Sequence, residues 1–153
     1  MIQRTQTIYL LLSAILSAIF IFAPFAYFET DLHYFFDNFG IHYQENSETK
    51  TLINAYPLLI LSITEIVLIL TSIFFYKKRK LQIRFSSFAL LLEIGSYILI
   101  AYYVYYYADA NISALVNWQI SIVIPMVNTV LIYLAIRGIL KDEALIRSLD
   151  RIR

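Results

Sequence analysis

Four apolar runs, at residues 8–28, 52–76, 85–107 and 118–136, divide this chain. Each is close to the ~20 residues that carry a helix across ~30 Å of hydrocarbon. With 153 residues in all, four such runs leave no room for a separate globular catalytic unit. The basic residues around them are one-sided. Arg4 precedes the first run, Lys77, Lys78, Arg79, Lys80 and Arg84 separate the second from the third, and Arg137, Lys141, Arg147, Arg151 and Arg153 follow the fourth. Only Lys50 falls in the loops on the other side, so eleven of the twelve Lys and Arg share one face. Lys and Arg near span ends are retained on the cytoplasmic side. The pattern predicts an all-α integral membrane protein: an antiparallel four-helix transmembrane bundle, one domain over residues 1–153, with both termini cytoplasmic.

The net charge of +1 conceals a dipole, because Glu29, Asp31, Asp37, Glu45, Glu48 and Asp109 lie on the face opposite the bases. That balance suits contact with anionic lipid on the inner leaflet and carries no nucleic-acid signal. The chain has no cysteine. Thiol–disulfide exchange, thiolate metal sites and palmitoyl anchoring on the chain itself are thereby excluded. The first run is longer than the ~7–15 residues of a signal-peptide core and lacks a small-x-small cleavage site. It is expected to remain as a span, with Pro24 bending or ending it near its outer end.

Outside the membrane the longest stretch is residues 29–51, acidic yet crowded with Tyr34, Phe35, Phe36 and Phe39. So aromatic a loop is expected to fold back on the membrane face or a partner, as a short helix or a hairpin around Asn38, Phe39 and Gly40. Asp31, His33, Asp37 and His42 lie within it, but their spacing enforces no metal site, and none is expected. Tyr102, Tyr103, Tyr105, Tyr106 and Tyr107 read as an aromatic belt at the outer boundary. After Arg137, the spacing of Ile139, Leu140, Ala144, Leu145, Leu149 and Ile152 predicts a short amphipathic helix on the cytoplasmic surface.

Inside the runs, polar residues keep to single faces. Ser13 and Ser17 mark one turn of the first run beside Ala14 and Ala18, a packing stripe. The second has Asn54, Ser62, Glu65 and Ser72; the third, Ser86, Ala89, Glu93 and Ser96; the fourth, Asn117, Ser121, Pro125 and Asn128. Intervals of three, four, seven and eight hold each set on one helical stripe. At 1.5 Å per residue, Glu93 lies ~13 Å above Arg84, Asn128 ~13 Å above Arg137 and Glu65 ~18 Å above Lys77, all near mid-membrane. A charged carboxylate there costs ~2.5–3.5 kcal/mol or more, so these groups are expected to face protein. Glu65, Glu93 and Asn128, with Ser62 and Ser96, are predicted to form a buried polar cluster with at least one glutamate protonated. Its two readings are a hydrogen-bonded clasp between helices and a proton or cation site.

Catalytic constellations are otherwise missing. No His or Asp falls within a run, which removes an embedded Ser–His pair, a metal-binding HExxH helix and an aspartyl dyad. There is no glycine-rich phosphate loop, and the chain has only three glycines. No cofactor is implied.

Three segments, MIQRTQTIYLLL at the start, YKKRKLQIR in the inner loop and LAIRGILKDEALIRSLDRIR at the end, resemble an uncharacterised family of short integral membrane proteins from Bacteroidota, a domain of unknown function. The resemblance runs through the whole chain in order. It implies four helices in a bacterial inner membrane and brings no activity with it. The resembling residues Arg4, Gln82, Arg84, Arg137, Lys141, Asp142, Glu143, Arg147, Asp150 and Arg151 lie on the cytoplasmic rim, beside Lys77, Lys78, Arg79 and Lys80. That rim is the expected docking surface of a non-catalytic accessory or scaffold subunit of an inner-membrane complex, whose partners are membrane lipid and another membrane protein. The alternative is a small proton-coupled transporter or permease that uses Glu65 and Glu93.

Overall fold

A computed structural model describes residues 3–29, 33–45, 48–76, 78–108 and 115–150. Helix α1 spans Gln3–Phe22, α2 Tyr56–Phe74, α3 Arg79–Tyr102 and α4 Ile124–Asp150. All four are long and apolar enough to cross a membrane. They form a ring in which α1 packs on α2, α2 on α3, α3 on α4, and α4 closes on α1. Five strands cap one end: β1 (Ala26–Glu29), β2 (His33–Phe36), β3 (Gly40–Glu45) and β4 (Glu48–Asn54) between α1 and α2, and β5 (Leu115–Trp118) between α3 and α4. The all-α expectation is therefore corrected: the fold is mostly helical with one antiparallel sheet, ordered β4-β3-β2-β1-β5.

Residues on either side of the helices decide where they stop. Pro24 has no N–H to continue the helical ladder, and α1 ends at Phe22. The chain then runs extended, with the Phe25 N–H donating to the Phe36 carbonyl at 2.7 Å and the Gln119 N–H to the Phe25 carbonyl at 2.8 Å. Pro57, in the first turn of α2, removes a donor that would have had no partner there. Residues 26–28 and 52–54, assigned to spans by hydropathy, are strands. Apolar content alone does not distinguish a membrane helix from a strand buried against one.

The segment around Asn38, Phe39 and Gly40 is a hairpin turn. The Asp37 carboxylate accepts from the N–H groups of Phe39 (2.7 Å) and Gly40 (3.1 Å). Gly40 adopts φ +151°, and a Cβ there would meet the Ile53 carbonyl oxygen at 2.0 Å. Only glycine fits so close a strand. One residue further on, a bulge shifts the β3–β4 register between Ile41 and His42.

Two apolar cores result. Phe20, Phe25, Phe28, Phe36, Ile41, Ala55, Leu58, Ile100 and Tyr103 join the sheet to the helix ends. Phe25 stacks on Phe20 at 4.7 Å and meets Phe36 edge-on at 5.3 Å. Tyr103 belongs to this core, while Tyr102 and Tyr105 are exposed, so the tyrosine run is only partly a belt. Deeper in the bundle, Leu10, Ala14, Ile69, Ala89, Ile132 and Ala135 form the second core. Large apolar side chains such as Ile8, Ile60, Val67, Leu91, Ile98 and Met126 point outward, while Ser13, Ser17, Ser62, Glu65, Ser72, Ser86, Glu93 and Asn128 are buried. Polar inside and apolar outside is the pattern of a bundle solvated by lipid.

At the far end from the sheet, the expected separate surface helix is instead the last turns of α4, which runs unbroken to Asp150. The α2–α3 connection is also shorter than the basic segment suggested, because Arg79, Gln82 and Arg84 already lie within α3.

Candidate functional site

Polar side chains inside the bundle are arranged in layers, each tying two or more helices. Nearest the sheet, the β2–β3 turn inserts Asn38 between α1 and α2. Its amide donates to the Phe20 carbonyl at 2.8 Å, and its Oδ1 accepts from Ser62 at 2.8 Å. The next layer holds Ser17, Glu65, Glu93 and Asn128, one residue from each helix. Beyond it the Ser72 and Ser86 hydroxyls meet at 2.7 Å, joining α2 to α3. At the end remote from the sheet, Gln6 Nε2 donates to Asp142 Oδ2 at 2.8 Å, closing α1 on α4.

The second layer is the candidate site. Asn128 Nδ2 donates to Ser17 Oγ at 2.7 Å, to Glu65 Oε1 at 3.0 Å and to Glu93 Oε2 at 3.0 Å. An amide nitrogen with two hydrogens thus faces three acceptors, so the hydrogens are shared. The Ser17 hydroxyl donates to Glu65 Oε1 at 3.0 Å, with the Ser13 carbonyl as its alternative acceptor at 3.1 Å. The shared Asn128 donor therefore brings the two carboxyls side by side. Two oxygens complete the picture. Asn128 Oδ1 and Ser13 Oγ are buried without a hydrogen-bond partner among the described residues.

Of the residues expected in the cluster, the structure brings Glu65, Glu93 and Asn128 together. Ser62 instead serves the Asn38 layer, and Ser96 bonds back to the Leu92 and Glu93 carbonyls of its own helix. Ser17 is the member whose role the sequence concealed. Its four-residue spacing from Ser13 marked a packing stripe, and nothing local told which stripe faced Asn128. Asn38 was equally hidden, since an asparagine two residues before glycine reads as turn chemistry.

The basic residues gather at the end remote from the sheet. Lys78, Lys80, Arg84, Arg137 and Lys141 are exposed there, and Arg79 and Glu143 are half-buried. Gln82 and Asp142 are buried, and Asp142 is spent on Gln6, so neither belongs to an accessible surface. Lys77 and Arg151 lie outside the described residues, as do the side chains of Arg147 and Asp150. In the sheet, His42 Nε2 lies 3.2 Å from Asp37 Oδ1 and its Nδ1 3.1 Å from Thr51 Oγ1; His33 is exposed, and Asp31 lies outside the described residues. No group of three or more His, Cys, Asp or Glu gathers among the described residues.

Neither a curated protein nor a solved structure matches the chain. A family profile does, across residues 2–152: the chain belongs to the family described as Domain of unknown function (DUF4293).

Proposed function

We propose that this protein is a non-catalytic accessory or scaffold subunit of a bacterial inner-membrane complex. Its sheet faces away from the cytoplasm, and its basic end is the cytoplasmic docking surface. The observation that carries this reading is a division of labour among polar groups. Inside the bundle, hydrogen bonds tie the helices and the sheet to one another in successive layers. The accessible charge, on Lys78, Lys80, Arg84, Arg137 and Lys141, converges at one end. A cluster of one sign attracts an acidic partner and fixes its orientation. The Lys and Arg bias puts that end in the cytoplasm, and lipid headgroups share the same attraction.

Pull-down of the tagged chain in mild detergent tests the proposal. A defined membrane protein is expected, lost when Lys80→Glu and Arg84→Glu are combined with Lys141→Glu. Recovery of the chain alone from several detergents overturns it.

The carboxyl pair of Glu65 and Glu93 favours a second reading, a small proton-coupled transporter or permease. Flux assays in proteoliposomes separate the two: a transporter loses proton-linked flux on Glu65→Gln or Glu93→Gln with the bundle intact, whereas a scaffold has no such flux to lose.

A further inference from the structure

Three oxygens from three helices converge on a single point in the middle of the bundle. Ser17 Oγ, Glu65 Oε1 and Glu93 Oε2 all lie within 3.0 Å of Asn128 Nδ2. The amide N–H pair occupies the place a small cation would take. On the same amide, Asn128 Oδ1 is buried and has no partner among the described residues. Turning the amide over about its last side-chain bond replaces the donor nitrogen by this oxygen. Oδ1 then stands where Nδ2 stood, four oxygens face one another with no N–H between them, and a cation among them takes over the positive charge that the N–H pair supplies. Ser13 Oγ, also buried and without a partner, lies one turn from Ser17 on the same stripe of α1 and extends the oxygen set.

We propose that this cluster is a binding site for one monovalent cation, Na⁺, which enters in exchange for a proton held by the Glu65–Glu93 pair. With both carboxyls protonated the site is neutral. When Na⁺ enters, one O–H bond breaks, that proton leaves to water, and the resulting carboxylate neutralises the ion while the other carboxyl keeps its proton. Net charge stays at zero, which removes the main cost of placing an ion in hydrocarbon. Ser17, Asn128 and the carboxylate replace the water shell with fixed oxygens. Divalent ions fit the set poorly. Ca²⁺ takes about 6–8 oxygen ligands, and Mg²⁺ keeps several of its waters.

No competing cation is built in. The apolar parts of the four helices contain no Lys, Arg or His. The titratable neighbours are Tyr97 on α3, whose hydroxyl donates to the Ile122 carbonyl at 2.7 Å, and Tyr9 on α1, which packs against the core around Leu10. On α4, Tyr133 is exposed and turned outward. On α2 the titratable residues are Glu65 and Tyr56, and Tyr56 is exposed in the first turn. The proton that Na⁺ displaces therefore comes from the carboxyl pair.

The test uses the purified full chain in lipid nanodiscs, titrated with NaCl against choline chloride at constant ionic strength. Na⁺ is expected to raise the unfolding midpoint, to weaken the infrared C=O band of protonated carboxyl, and to release one proton per ion into weakly buffered solution. One-for-one exchange makes the apparent Kd for Na⁺ rise about tenfold per unit fall in pH. Glu93→Gln should abolish all three responses. Ser17→Ala, which removes one ligand without touching a carboxyl, should weaken the apparent affinity at least fivefold while Na⁺ still acts on the carboxyl band. Identical midpoints and identical infrared bands in Na⁺ and choline across pH 6–9 overturn the proposal and leave the cluster a clasp only.

Discussion

Gln6 and Asp142 stand 136 residues apart in the chain and share a buried hydrogen bond of 2.8 Å. The contact is what Gly138 makes room for. A Cβ at that position would meet Gln6 Cγ at 2.8 Å, so the glycine leaves α4 a notch into which the Gln6 side chain fits. Removing one partner leaves the other buried and unsatisfied, a loss of ~1–3 kcal/mol. Gln6→Leu and Asp142→Leu are therefore each expected to lower the thermal unfolding midpoint in detergent. Asp142→Asn, which keeps an acceptor oxygen, should lower it by less than half as much. Equal effects from Asn and Leu would show that packing alone matters there.

Asn38 links the sheet to two helices through Phe20 and Ser62. Asn38→Leu removes both bonds, leaving the Phe20 carbonyl with the long 3.4 Å bond from the Ala23 N–H and the Ser62 hydroxyl without its acceptor. A cost of ~2–4 kcal/mol is expected for two such buried groups. Ser62→Ala loses one bond and should cost about half. Limited proteolysis between β2 and β4 is the sensitive measurement, since the hairpin would detach before the bundle opened.

At Gly40 the objection to any side chain is geometric: the backbone is at φ +151° and the Ile53 carbonyl occupies the place of a Cβ. Gly40→Ala is expected to be among the most damaging substitutions in the sheet. It should abolish the β3–β4 pairing, seen as faster amide hydrogen exchange at Ile41 and Ile53. Protected exchange at both positions in the variant would refute this.

In the clasp, hydrogen bonding and charge can be separated at Glu93. Gln keeps a carbonyl acceptor for Asn128, whereas Leu removes it. Transmembrane polar contacts average ~0.6 kcal/mol and reach ~1.7 kcal/mol. Glu93→Leu is expected to lower stability by about that upper value, and Glu93→Gln by less. Infrared spectra at neutral pH should show a protonated carboxyl band in the parent protein that Glu93→Gln diminishes.

Orientation is checked with the chain's own lack of cysteine. Thr49→Cys in the sheet and Ser148→Cys near the end of α4 both fall at exposed positions. Impermeant maleimide should label Thr49→Cys from the periplasmic side and Ser148→Cys only after the membrane is opened. Labelling of both from one side would contradict the charge rule.

Much of the bundle was written locally. Runs of apolar residues set the four helices, and the intervals between Ser62, Glu65 and Ser72, or between Ser86, Glu93 and Ser96, set which face of each helix turns inward. A helix repeats every 3.6 residues, so spacing alone carries that information. The depth of Glu93 and Asn128 followed from the rise per residue, and the two do meet. Partners across the chain depend on how helices rotate and stack, which no local pattern encodes. Ser17 joined the cluster, Ser62 left it for Asn38, and Asp142 turned inward to Gln6 because of that packing. The sheet shows the same limit. Residues 26–28 are apolar enough to continue a span, and they become part of a strand because β2 and β5 pair with them on both sides. Strand pairing unites residues about ninety positions apart, and only the closed ring of helices brings them within hydrogen-bonding distance.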